Sequence, residues 1–113
     1  MLEEYSLYLE LARVYSILMK NLKELLKSIK CDVEKLAPGV EVYLFGSYAE
    51  SRATAGSDVD ILVVVESVSE EEAYRIKAHL KRKYIEYPLE VHVVPRSLYE
   101  RLYKRFISNM IPV

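Results

Sequence analysis

The chain has 113 residues, 51% of them apolar and 29% charged, with a net charge of −1 and an isoelectric point near 6.1. That is the size and composition of one globular domain, and the balanced charge excludes the broad basic footprint of a protein that grips long nucleic acid. The longest purely aliphatic run, Ile61 to Val65, falls far short of the ~20 residues of a membrane span, and the single cysteine, Cys31, has neither a disulfide partner nor metal-type spacing.

The sequence opens Met-Leu-Glu-Glu, with neither a basic segment nor a small-residue cleavage site, so no signal peptide is expected and the cytosol is the expected compartment. Leu7, Leu11, Val14, Leu18, Leu22, Leu25 and Ile29 recur at spacings of three and four, which predicts one helix over residues 1–30. A second stripe, Tyr5, Tyr8, Ala12, Tyr15 and Met19, widens the apolar arc of its N-terminal half only. Two readings of that arc stand side by side: a helix sunk deep into its own core, or a face for a partner. Ala37-Pro38-Gly39 ends the pattern before a strand, Val40 to Phe45. A short helix from Ser47 and a strand from Asp58 to about Glu66 come next. Ser69 and Glu72 form a capping box opening a helix to about Lys83, and Tyr87 to Val94 is a third strand. Ser97 and Glu100 cap a last helix, 97–109, with Leu98, Leu102 and Phe106 as its buried stripe. The expected fold is a single two-layer α/β (α+β) domain over residues 1–113, with a mixed three-stranded sheet and a long N-terminal helix. The strands before and after the capped helix are expected to be parallel, and the first two antiparallel.

Only three aspartates occur, and two of them, Asp58 and Asp60, open the most apolar strand. Alternation places Asp58, Asp60, Leu62 and Val64 on one face of that strand, and Val59, Ile61, Val63 and Val65 on the other, beneath the helices. In "LEVHVV" the same alternation puts Glu90 and His92 opposite Leu89, Val91 and Val93. With the buried faces aligned, three carboxylates converge on one open surface. Like charges at that spacing are tolerated around a cation, and hard oxygen ligands without cysteine select Mg²⁺ or Mn²⁺ over zinc. Two such ions activate an attacking hydroxyl and stabilise a leaving pyrophosphate. His92 reads as a half-exposed strand histidine before a ligand, and Lys81-Arg82-Lys83 as a solvated face before a contact to a nucleotide tail.

The segment "GSYAESRATAGSDVDILVVV" followed by "LEVHVV" resembles the minimal nucleotidyltransferases of the DNA polymerase beta-like superfamily, over about Val40 to Val94. The resemblance implies a catalytic palm over residues 40–94. In it Gly46 and Ser47 hold a triphosphate, Asp58 and Asp60 bind two Mg²⁺ ions, and Glu90 is the third carboxylate. It implies transfer of a nucleoside monophosphate, AMP from ATP first of all, to a hydroxyl. It also implies an antitoxin paired with a helical HEPN-type toxin whose tyrosine it adenylylates. Members of the family usually carry Arg and then Gly where Glu50 and Ser51 stand, and Asp where Glu90 stands. Ser47 and Glu50 instead spell a capping box, in which Glu50 reaches back to the Ser47 N–H; Arg52 reads equally as the nearest positive substitute for triphosphate binding and as an exposed salt-bridging residue. The alternative to catalysis is a silent antitoxin-like module that neutralises its partner by contact. An antibiotic-modifying transferase ranks lower, since no acceptor domain is present. Homo-oligomerisation stays open, as do the base, the acceptor and the role of His92.

Overall fold

The computed structural model describes residues 2–113. Helix α1 runs from Leu2 to Leu36, a turn and a half beyond the expected end, because no Gly or Pro interrupts it before Pro38. Its last turn closes with the Ala37 N–H donating to the Val33 carbonyl at 2.7 Å. Strand β1 spans Glu41–Phe45 and runs directly into the single-turn helix α2, Gly46–Ala49. Strand β2 spans Val59–Val65. Helix α3, Glu70–Lys83, starts at Ser69, whose Oγ accepts the Glu72 N–H at 3.1 Å. Acids fill its first turn and bases its last, the arrangement its dipole favours. Strand β3 is Leu89–Pro95.

Two expectations fail at the C-terminus. The last helix is not a regular α-helix capped by Ser97: α4 covers Arg96–Leu98 after an N-cap at Pro95, then winds as a π-helix over Tyr99–Tyr103 and a 3-10 helix over Lys104–Asn109. Changing the number of residues per turn rotates a stripe spaced by four, so Leu102 and Phe106 remain 42% and 49% exposed. Tyr99 and Met110 are buried instead. The sheet also has four strands: β4, Ile111–Pro112, pairs with β1, giving the order β3-β2-β1-β4. As expected, β1 and β2 are antiparallel while β2 and β3 are parallel.

Two apolar layers enclose the sheet. Val42, Leu44, Val59, Ile61, Val63 and Val91 pack beneath α1 and α3, with Leu18, Ile29, Val33 and Leu80 on the helices. On the opposite face Tyr43, Leu62, Val64 and Val94 lie under Tyr99 and Met110 of the C-terminal segment. The surface expected to be open is therefore roofed over most of its length, and only the end bearing the carboxylates stays free. A buried polar knot ties α1 to the end of α3. Lys83 Nζ donates to Asp32 at 2.8 Å, Tyr84 Oη donates to Asp32 Oδ2 at 2.5 Å, and Tyr84 Oη also shares a 2.7 Å hydrogen bond with Ser28.

The first turns of α1 overshoot this body. Leu7 and Leu11 continue the stripe of Leu18 and Ile29, yet they are 61% and 39% exposed where the latter are 1% and 0%. Tyr5 and Tyr8 are bare as well, so the wide apolar arc is not sunk into the chain's own core. No helix among the described residues is long and apolar enough to cross a membrane.

Candidate functional site

The site forms where β1 ends and β2 begins, with β3 alongside. Register sets Asp60 between Phe45 on β1 and Glu90 on β3. Asp58, two residues earlier, takes the same face, and His92 extends that face along β3. The strand start is pinned by the Val59 N–H, which donates to the Pro88 carbonyl at 2.8 Å. The loop leading to Asp58 is fastened by Thr54 N–H to Ser57 Oγ at 2.9 Å and by Tyr15 Oη to the Ala53 carbonyl at 3.2 Å. Asp58 and Glu90 are exposed, Asp60 and His92 half-buried. The His92 ring packs against Phe45, with centroids 5.4 Å apart.

Gly46 joins this cluster from β1. Its φ of +73° suits glycine, and it turns the chain from the strand into α2. A Cβ at this position would lie 2.1 Å from Asp60 Oδ2, so the missing side chain is the space the carboxylate fills. Ser47, half-buried, follows in the first turn. The expected capping box is absent: α2 begins at Gly46 with Phe45 as its N-cap, which places Ser47 inside the helix. Glu50 closes the helix through its backbone N–H to the Gly46 carbonyl and turns its carboxylate to Arg52 at 3.1 Å. Ser51 takes φ of 58°, and the Arg52 N–H donates to the Ser47 carbonyl at 2.9 Å, a Schellman closure with Ser51 at its left-handed position.

Burial is the leading reason that the Asp60 carboxyl is held above its usual range, and the charge of Asp58 adds to it. Glu90 acts in the same direction, while His92 and Arg52 oppose it. Four side chains thus bear on the Asp60 carboxyl at one end of the sheet. Among the described residues no three Asp, Glu, His or Cys side chains gather closely enough to hold a metal ion alone. The three acids share a face without closing to a point. The donor set still fits a hard cation, because Mg²⁺ is usually held by one or two carboxylates with substrate phosphates completing its shell.

Two hollows flank the carboxylates. One, of about 410 Å³, is lined by Asp58 and Glu90 with Lys81, Ile85 and Tyr87, so Lys81 faces the site rather than solvent alone. The other, of about 440 Å³, lies beyond Gly46 against the C-terminal segment and includes Phe45, Tyr103, Phe106 and Asn109. Sequence periodicity could not have found it, since it depends on the irregular winding of residues 99–109.

A strand-end Gly-Ser turn beside two aspartates, with a third acid on the parallel neighbour, is the arrangement by which the sequence resembles a nucleotidyltransferase palm. The chain belongs to the nucleotidyltransferase domain family, whose model matches residues 22–111. It is a nucleotidyltransferase by family, transferring a nucleoside monophosphate. A crystal structure of a protein provisionally assigned as a nucleotidyltransferase is 25% identical, with a TM-score of 0.57 over 84% of this chain and 96% of that one. A second, a provisionally assigned nucleotidyltransferase from Sulfolobus solfataricus, is 20% identical with a TM-score of 0.54 over 91% and 85%, a likeness of fold alone. No curated protein matches the sequence.

Proposed function

We propose that the protein transfers AMP from ATP to a tyrosine hydroxyl of a helical, HEPN-type protein partner and so acts as an antitoxin. The observation that carries the transfer chemistry is the packing of Asp60 on Gly46, with Asp58 beside it and Glu90 across the register. Gly46 and Ser47 receive the phosphate chain, since a glycine allows close backbone approach. Asp58 and Asp60 would hold Mg²⁺, or Mn²⁺, and bound ions supply charge neutralisation along the phosphates and a more nucleophilic hydroxyl. Glu90, exposed at the rim, takes the proton of the attacking hydroxyl. The new bond joins that oxygen to the α-phosphorus, the bond to the bridging oxygen breaks, and pyrophosphate leaves. Rate enhancement in such a reaction comes mostly from positioning and electrostatics, which a rigid sheet end provides. The bare overshoot of α1, with Tyr5, Leu7, Tyr8 and Leu11 exposed, supports a partner protein as the acceptor.

The test is label transfer from α-labelled ATP with Mg²⁺, in the presence of the co-purified partner, comparing wild type with the Asp58→Asn/Asp60→Asn double variant. Label on a protein that disappears in the double variant is the expected result. A second reading is a silent module that neutralises its partner by contact, and one observation favours it: Arg52 is engaged by Glu50 instead of standing free for a triphosphate. A folded, partner-bound protein that transfers nothing from any of the four nucleoside triphosphates would establish that reading instead.

A further inference from the structure

The hollow between α2 and the C-terminal segment shares the sheet face of the carboxylates and touches the site twice. Phe45, on its wall, is the register partner of Asp60, and Gly46, at its mouth, carries the α-carbon against which the Asp60 carboxylate stands. Its volume of about 440 Å³ falls within the roughly 300–1,000 Å³ of small-molecule sites. A phosphate chain seated on Gly46 and Ser47 leads away in two directions, toward this hollow or toward the depression of Asp58 and Glu90. The chemistry of the two differs. The depression carries the charges of Asp58, Lys81 and Glu90, the last being the acid proposed to take the proton of the attacking hydroxyl. The hollow is walled by the rings of Phe45, Tyr103 and Phe106 with the Asn109 carboxamide among them, and the opposite charges of Glu50 and Arg105 lie at its edge. Flat π-faces beside a group that both donates and accepts hydrogen bonds form a site for a heterocyclic base. Phe106 is 49% exposed here because the π and 3-10 winding turns it off the sheet, and the Arg105 guanidinium lies over its ring, 5.1 Å from the centroid, so a base would stack there in place of that cation.

We propose that this hollow takes the base of the nucleotide, stacked on Phe106 and bounded by Phe45 and Tyr103, with Asn109 reading the base edge. The assignment rests on the nucleotidyl-transfer reading of the neighbouring carboxylates and adds to it the place where one base is told from another.

The test compares two probes, ATP and inorganic tripolyphosphate, each titrated calorimetrically with Mg²⁺ into wild type, Phe106→Ala and Asn109→Ala. Losing one base–aromatic stack should weaken ATP about tenfold or more in Phe106→Ala and leave tripolyphosphate unchanged. Asn109→Ala should narrow the differences in affinity among ATP, GTP, CTP and UTP. Phe106 is half-exposed, so its truncation leaves the fold in place, as circular dichroism will verify. Unchanged ATP affinity in Phe106→Ala, or equal losses for both probes, overturns the base assignment while leaving the transfer chemistry standing. Failure of wild type to bind either probe overturns the nucleotidyl-transfer reading as well.

Discussion

Asp60 and Gly46 form one unit: the carboxylate on β2 occupies the space that any side chain at residue 46 would need. The contact joins the turn proposed to receive phosphates to the strand proposed to hold metal, so a change in one displaces the other. Gly46→Ala should lose about 1–2 kcal/mol of stability from its left-handed φ alone. Displacing Asp60 should also slow transfer by roughly a hundredfold or more, the scale expected for a shift near 1 Å. Thermal melts and label transfer measure the two effects separately. Wild-type transfer by Gly46→Ala would show that the contact is dispensable.

Asp60→Asn should abolish transfer and raise stability in the presence of a chelator. The Asp60 pKa is raised by burial and by Asp58, so the folded state holds its proton more tightly than the unfolded chain does. Its ionisation therefore costs stability, and that cost appears as pH rises through the raised folded value. The variant's advantage in melting temperature should be present at neutral pH and should vanish below the ordinary carboxylate range. Addition of Mg²⁺ should stabilise wild type more than the variant.

Ser51 holds a left-handed conformation that glycine adopts without strain, at the C′ position of the Schellman closure between Ser47 and Arg52. Ser51→Gly is expected to stabilise the protein by up to about 1 kcal/mol, the left-handed penalty less the entropy glycine loses on folding. Chemical denaturation would show it as a higher midpoint at unchanged slope.

The Glu50 carboxylate engages Arg52 at 3.1 Å on the surface. Releasing that arginine, and removing a negative charge beside Gly46, should strengthen tripolyphosphate binding several-fold in Glu50→Gln. The gain should shrink at high salt, since the groups are exposed. Identical affinities of wild type and variant at low salt would show that Arg52 does not reach the phosphates.

Asp32 answers to pH with the opposite sign from Asp60. Burial works against its ionisation, but hydrogen bonds from Lys83 and Tyr84 together hold its pKa below the ordinary value. The stability it contributes is complete above the unfolded carboxylate pKa and is lost as pH falls through the lowered folded value. Asp32→Ala should melt several degrees lower at neutral pH, and the difference should close in strong acid. Tyr84→Phe, which removes one donor, should show a smaller deficit in the same window.

Much of the fold was written locally. Val59, Ile61 and Val63 alternate with Asp60, Leu62 and Val64, and because side-chain direction in a strand is set residue by residue, the sequence alone determined that Asp58 and Asp60 share a face and that Glu90 lies opposite Val91, while the pairing of β2 with β3 brought them to one side. The uninterrupted stripe of α1 and the Ser69 cap of α3 are local in the same sense. What lay beyond reach was settled by contacts between distant segments. Ser47 and Glu50 have the spacing of a capping box, yet the turn forced at Gly46 starts the helix one residue early and leaves Glu50 to Arg52. Leu98, Leu102 and Phe106 have helical spacing, yet the segment that must place Tyr99 and Met110 on Tyr43, Leu62 and Val64 winds irregularly to do so. Ile111 and Pro112 lie beyond the last expected element and form an edge strand by pairing with Tyr43 and Leu44 of β1. The physical reason is the same each time: spacing specifies which side chains can lie together on one element, while which elements meet, and so where the hollow beside Gly46 opens, depends on burial summed over the whole molecule.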